Sequence, residues 1–263
     1  MQPAPAPAPP PPPQVDGCFK IDFLFVVDDS YSMYEEQTNL TANFPKFLTA
    51  IDSYINASGS LLDYRLAVTT TGVSTIDHPD VNAANGAFRG ACGIDRQWVE
   101  RSDYDVEQAF GCRATVGLEG PYTEMPLRAV ELALSDRIAD GTNEGFLRED
   151  ALLAIIILTD EDDCTNFEGI ADSDCHTDLS EHVTFLDQLT GDRSRWAMSV
   201  IAGATECSSD FGTAEEAVRL KEVIELAGDN GVFSSICEGD LSPALTDALD
   251  TFSAACESFE PIN

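Results

Sequence analysis

Residues 23–33 read FLFVVDDSYSM. An apolar, β-rich run, IDFLFVV at 21–27, stops abruptly at two aspartates and two serines. Continuous apolarity of this kind marks a strand buried on both faces, as in a parallel sheet. Packing does not call for so much polarity at its end. Asp28, Ser30 and Ser32 alternate along the turn that leaves the strand, so one carboxylate and two hydroxyls can converge on a point. All three are hard oxygen donors of the kind that hold Mg²⁺. The plainer alternative is a strand-end turn in which Asp and Ser cap the next helix.

Working outward, strands alternate with helices along the chain. A helix is expected from Glu35 to Asn56, with a break or a new start at Pro45. YRLAVTTT (64–71) reads as a second strand, and ALLAIIILT (151–159), the most apolar segment, as a central one. TEMPLRAVELAL opens a helix after Gly120-Pro121, and Leu179–Leu189 reads as another. WAMSVIAG (196–203) is a strand, Thr213–Ala227 a helix, Val232–Cys237 a strand and Ser242–Phe259 a closing helix. Residues 72–117 form a long insertion, with a short edge strand expected near Ala87–Arg89. This alternation predicts an α/β, doubly wound and mostly parallel sheet with helices on both faces. Sites in such sheets form beyond the carboxyl ends of strands where the winding reverses. Asp28 lies at one such end and Asp160, in IIILTDEDD, at another.

Composition bounds the rest. The 263 residues carry 47 acids against 14 Lys+Arg, a formal net charge of -33. That balance excludes nucleic-acid binding, which needs phosphate neutralisation, and disfavours anionic membranes. It fits a soluble, exported surface whose self-repulsion salt would screen. The opening MQPAPAPAPPPPPQ is a stiff spacer, so residues 1–16 are expected to be a linker and 17–263 a single domain. No segment reads as a signal peptide or membrane span; the spacer would hold the domain away from an upstream anchor. Eight cysteines without a CxxC pair point to disulfides and an oxidising compartment, hence an extracellular, cell-surface or periplasmic location. Short separations favour Cys92–Cys112 and Cys164–Cys175, leaving Cys207–Cys237 and Cys18–Cys256 as the simplest remainder.

With a second aspartate on the most apolar strand, the pattern Asp28-Asp29-Ser30-Tyr31-Ser32 resembles the metal-ion-dependent adhesion site of von Willebrand factor type A domains. FLREDALLAIIILTDEDDC and GDNGVFSSIC are similar to a secreted, cysteine-bearing bacterial branch of that family. The resemblance covers almost everything after the spacer. It implies a six-stranded sheet of order 3-2-1-4-5-6 with strand 3 antiparallel, and Asp28 and Asp160 on one rim. It also implies a Mg²⁺ ion held by Asp28, Ser30, Ser32, Asp160 and a threonine from a middle loop, with an open position taken by a partner protein's Asp or Glu. In GLEGPYTEMPL the nearest hydroxyl is Thr123, while Glu119 and Glu124 are equally close. A glutamate ligand there would shift preference toward Ca²⁺ or Mn²⁺, and Thr123 would otherwise cap the following helix. Asp29 is expected to face solvent or a backbone N–H, and Asp162 and Asp163 to be a solvated, capping pair. The insertion, with Phe88, Arg89, Trp98 and Tyr104, is the expected reading surface, joined by Glu124; a flap braced by Cys92–Cys112 is the alternative.

Three rival functions are weaker. VVDD also resembles a phosphoacceptor receiver, but the only lysines are Lys20, Lys46 and Lys221, none at a late strand end. A metal-dependent hydrolase would activate water near Asp28 and Asp160, yet His78, His176 and His182 are scattered and no GxSxG, HExxH or P-loop occurs. A structural scaffold with an empty site is the third, against which the intact Asp28, Ser30 and Ser32 speak.

Overall fold

The computed structural model describes residues 18–53, 61–75, 79–165, 175, 178–209, 212–238 and 240–259. The Pro-rich segment expected to be a linker, His78 and His176 lie outside them. Strands β1 (Lys20–Val27), β2 (Asp63–Thr70), β3 (Val99–Glu100), β4 (Leu152–Leu158) and β5 (Trp196–Ala202) precede a short hairpin of β6 (Cys207–Ser209) and β7 (Gly212–Ala214). β8 (Gly231–Ser235) completes a six-stranded sheet of order β3-β2-β1-β4-β5-β8. Every pairing in it is parallel except β2–β3. That is the predicted order and edge polarity; the sixth strand is the eighth in sequence because the hairpin intervenes.

Side chains alternate across the central strands and build two cores. Phe23, Phe25 and Val27 of β1 join Leu152, Ala154, Ile156 and Leu158 of β4 on one face. There they meet α1 (Tyr34–Ser53), α2 (Val106–Ala114) and α7 (Ser242–Glu257). Leu24 and Val26, with Leu153, Ile155 and Ile157, face α3 (Pro126–Leu134), the one-turn α4 (Asp136–Ala139), α5 (Leu179–Thr190) and α6 (Val218–Ala227). α1 packs through Phe44, Phe47, Leu48 and Ile51, spaced to share one helical face. Phe25 stands edge-on to Phe44, Phe47 and Phe110, which fixes α1 and α2 over the end of β1 nearest the aspartates.

Three local expectations change. α1 runs through Pro45 without a break, because the apolar stripe on both sides of the proline stays buried on the sheet. The edge strand is Val99–Glu100, opposite Leu66 and Arg65. Residues 87–89 only touch β2, through Arg89 N–H to Val68 O at 2.8 Å. Positive φ at Asn85, Gly86, Ala91 and Cys92 prevents that stretch from extending into a ladder. Thr213–Ala214 is strand, and the helix expected from Thr213 begins only at Val218. The backbone between them bonds to the rim instead: Glu215 N–H donates to Asp160 O at 2.8 Å and Ala217 N–H to Gly203 O at 2.9 Å.

All four disulfides form as expected: Cys18–Cys256, Cys92–Cys112, Cys164–Cys175 and Cys207–Cys237. Cys18–Cys256 clasps the two ends of the domain across 238 residues, the largest loop of the four. Loop-closure entropy makes it the most valuable bridge. The Cys18→Ser/Cys256→Ser variant is expected to lose about 3–5 kcal/mol in urea unfolding, more than the Cys164→Ser/Cys175→Ser variant.

Candidate metal centre

The rim is built by register. Val27 pairs with Thr70 on one side and Leu158 on the other, and Asp28 N–H adds one more bond, to Leu158 O at 2.9 Å. Asp28 therefore emerges level with Thr71 of the β2 end and Thr159 of the β4 end. After it the chain turns: Ser30 N–H donates to Asp28 Oδ1 at 2.8 Å, and a single 3₁₀ turn at Tyr31–Met33 leads into α1. The turn brings Ser30 Oγ and Ser32 Oγ to 2.9 Å. Ser32 Oγ donates to Asp160 Oδ1 at 3.2 Å, while Thr159 Oγ1 donates to Asp28 Oδ2 at 2.7 Å. Asp28, Ser30, Ser32 and Asp160 thus stand together, although 128 residues separate the last two.

The middle loop is stitched to the first. Gln37 Nε2 donates to Asp28 O at 2.9 Å and to Gly117 O at 2.7 Å. Gly120 N–H donates to Asp29 O at 2.9 Å, and a Cβ at Gly120 would meet Asp29 Oδ1 at 2.3 Å, so only glycine permits this approach. Asp29 is accordingly buried against the loop rather than solvated. Thr123 is exposed. Its neighbour Glu124, expected on the reading surface, is turned inward and 1% exposed.

The acidic run after β4 divides by address. Asp162 accepts from Arg219 N–H at 2.9 Å and Leu220 N–H at 3.1 Å in the first turn of α6. Asp163, fully buried, accepts from Leu127 N–H at 3.1 Å and from Thr165. Both cap helices, as expected, but Asp163 is not solvated. Asp160 alone of the four points to Ser32. Glu161, also on the rim, lines a cleft of about 470 Å³ with Ser32, Asp160, Glu206, Ser208, Thr213 and Glu215. His182 is remote, buried with its Nδ1 2.7 Å from Glu131 Oε1 between α3 and α5.

Electrostatically the centre is crowded with like charge. Burial raises the Asp28 carboxyl, opposed by the hydrogen bonds from Ser30 and Thr159. Burial, and then the charge of Asp28, push Glu124 and Asp160 well up. Glu161 rises to about 7 for the same two reasons, and Glu36 to about 7, mainly by burial. Asp29 Oδ1, Glu36 Oε2 and both oxygens of Glu124 are buried without a hydrogen bond of good geometry, although the Thr70 hydroxyl lies near enough to favour the Asp29 anion and the Thr71 hydroxyl that of Glu124. Among the described residues no three His, Cys, Asp or Glu side chains form a metal cage by themselves, so a cation at this rim would need the two serine hydroxyls as well as the carboxylates. Paired hydroxyls beside buried acids that have only neutral donors suit a hard divalent cation.

Of the expected reading surface, Phe88 is buried against Phe146. Trp98 lies at the opposite end of the sheet, under Arg65 near the start of β2 and bonded to Glu100. Arg89 is half-buried and donates to Thr115 O at 3.3 Å. The exposed aromatics beside the centre are Tyr31 (76%), Tyr34 (61%) and Tyr122 (89%). Tyr31 lies inside DDSYS and Tyr34 follows two residues after it, a signal passed over. Thr159 and Gln37 were also missed; nothing in the sequence marks a threonine or glutamine as the clamp on an aspartate.

No family model and no curated protein matches this sequence. Among solved structures, the chain is similar to the pilus adhesin SpaC of Lactobacillus rhamnosus GG in its open conformation, at TM-score 0.46 and 13% identity over 92% of this chain. It is also similar to proximal thread matrix protein 1 from the mussel byssus, at TM-score 0.44 and 15% identity. A structure of that matrix protein with a zinc-occupied MIDAS motif gives 0.43 and 17%. The chain spans 31% of the adhesin chain and 47% of the matrix-protein chain. At these identities and TM-scores the likeness carries no argument about this chain, whose fold rests on its own sheet order and pairing.

The crowding sets a pH dependence for cation-free protein. Raised carboxyl pKa values mean that the folded state holds protons which the unfolded chain releases above the ordinary 4.5. That stabilisation is complete below 4.5 and is lost as pH rises through about 7. In chelator the melting temperature is expected to fall from about pH 5 to about pH 8, and a Glu36→Gln/Glu161→Gln variant to show a flatter slope.

Proposed function

We propose that the chain is a divalent-cation-dependent protein-binding domain of the von Willebrand type A kind, working outside the cell in adhesion. The observation that carries this is the convergence of Asp28, Ser30, Ser32 and Asp160 on the rim where strands β1 and β4 end side by side. Those four side chains would hold the ion, Mg²⁺ in the family's usual form. A bound cation supplies a positive centre for an Asp or Glu of the partner.

The chain's own residues do the rest. Thr159 and the Ser30 N–H orient Asp28, and Gln37 ties its backbone to the middle loop, so the donors are held before any ion arrives. Tyr31, Tyr34 and Tyr122 stand around the centre as amphipathic contact surface. With 47 acids on the chain, the partner's acid must sit in a basic surround, and association weakens with salt. Four disulfides fit the oxidising exterior, and no helix among the described residues is long and apolar enough to cross a membrane.

Calorimetric titration of Mg²⁺, Ca²⁺ and Mn²⁺ into chelator-stripped protein tests the reading. Binding by the parent, with at least about tenfold weaker binding by folded Asp28→Ala and Ser30→Ala, is the expected result. Equal uptake by all three proteins would assign the cation to the general acidic surface and end the proposal.

A further inference from the structure

The Cys207–Cys237 disulfide differs from the bridge that clasps the ends of the domain. Cys18 and Cys256 are 2% and 1% exposed, whereas Cys207 and Cys237 are both half-buried. Cys207 opens β6 and lines the cleft of about 470 Å³ that Ser32 and Asp160 also line. A molecule entering that cleft therefore meets the bridge. Its far end, Cys237, sits in a 3₁₀ turn (Ile236–Glu238) directly after β8, the outer strand of the main sheet. The bridge thus ties the β6–β7 hairpin to the sheet edge. Little else does. The two strands form three residue pairs, and of those six residues only Ala214 is buried. A two-stranded hairpin of that size is not stable by itself in water. Gly212 rests on Glu36 so closely that a Cβ there would collide with Oε1, while Glu36 Oε2 has no hydrogen-bond partner. That contact buries a carboxylate oxygen without a donor, so it opposes the seating of the hairpin. The backbone bonds lie at the base, from Glu215 N–H to Asp160 O and from Ala217 N–H to Gly203 O. Cys92–Cys112 is also reachable, with Cys112 exposed, but α2 would stay seated without it through the fully buried Phe110 and Arg113.

We propose that Cys207–Cys237 is a thiol-exchange site that latches the β6–β7 hairpin, and that it reacts with neutral or cationic thiols in preference to anionic ones. The attacking thiolate bonds to Cys207 Sγ as the bond between the two Sγ atoms breaks, and Cys237 leaves as a thiolate that takes up a proton. A second thiol then displaces Cys207 from the mixed disulfide. Two thiols end as one disulfide, and their two electrons and two protons reside on Cys207 and Cys237. The charge preference comes from the cleft. Asp160, Glu161, Glu206 and Glu215 share it with Cys207, and none of its lining residues is basic. The attacking group is itself an anion, so these acids slow its approach unless its own molecule carries a positive charge. Once reduced, the hairpin is held chiefly at its base, and the wall that Cys207, Thr213 and Ala214 give the cleft is released from the end of β8. None of this requires a cation at the rim.

The full chain, folded and with its disulfides intact, is exposed to cysteamine or to 2-mercaptoethanesulfonate at equal thiolate concentration. Free thiols are then alkylated and mapped by peptide mass spectrometry. Cys207 and Cys237 are expected to be labelled well before Cys18 and Cys256, with cysteamine about tenfold faster than the sulfonate at low salt and the gap closing in about 0.5 M salt. Labelling of Cys207 and Cys237 no earlier than Cys18 and Cys256 would overturn the exchange site. Equal rates for the two thiols at low salt would overturn the charge preference. The latch is read separately, by hydrogen exchange on a Cys207→Ser/Cys237→Ser variant whose melting curve shows it folded. The Glu215 and Ala217 amides are expected to exchange at least about tenfold faster than in the parent. The parent, reduced at this bridge and alkylated, gives the same reading without mutation. Exchange at those amides within about twofold of the oxidised parent would mean that the hairpin stays seated without the bridge, and would overturn the latch.

Discussion

The pairing of β1 with β4 is the constraint on which the rest depends. Seven consecutive residue pairs, from Ile21–Leu152 to Val27–Leu158, lock the two strands in parallel, both with every residue but Lys20 buried. A slip of one residue would send every side chain of a strand to the wrong core. Two apolar layers therefore oppose any change of register. The same lock sets the level at which Asp28 and Thr159 leave the sheet and fixes the reach of Ser32 to Asp160. Polar groups that would be costly to gather are assembled by apolar surface that gains from being gathered.

Both ends of β1 carry a buried aspartate, and they are handled in opposite ways. Asp22, 1% exposed, is answered within the chain: Arg148 donates its Nε to Oδ1 at 2.7 Å and its backbone N–H to Oδ2 at 2.8 Å. Asp28 has only neutral donors and stands among further acids. A buried charge with its own arginine belongs to the architecture. One left among like charges, with no arginine or lysine answering it, is what sets the rim apart from the rest of the core and motivates the proposed cation.

The main elements were legible because they depend on local pattern: continuous apolarity for β1 and β4, helical spacing in α1, and acids placed directly after buried strands. Asp28, Ser30, Ser32 and Asp160 share a short turn or a strand end, so topology brings them together once the sheet order is known. The middle loop was not legible. Whether Thr123 or Glu124 turns inward depends on which residue bridges Gly72, and a one-residue shift exchanges them. The insertion was misread for a similar reason. Phe110 anchors α2 in the core, and buried Arg113 gathers the carbonyls of Ala91, Ile94 and Arg96. That path carries Trp98 to the far end of the sheet. The hairpin at β6–β7 was hidden because Thr213–Ala227 has helical composition while Cys207–Cys237 and the rim claim its first residues.

Crystals grown with Mn²⁺ and measured for anomalous scattering would locate a cation directly. A single strong peak beside Ser30 Oγ and Ser32 Oγ, between the carboxylates of Asp28 and Asp160, is the predicted result. Peaks confined to exposed acids elsewhere, with that rim vacant, would contradict a metal centre at the end of β1 and β4.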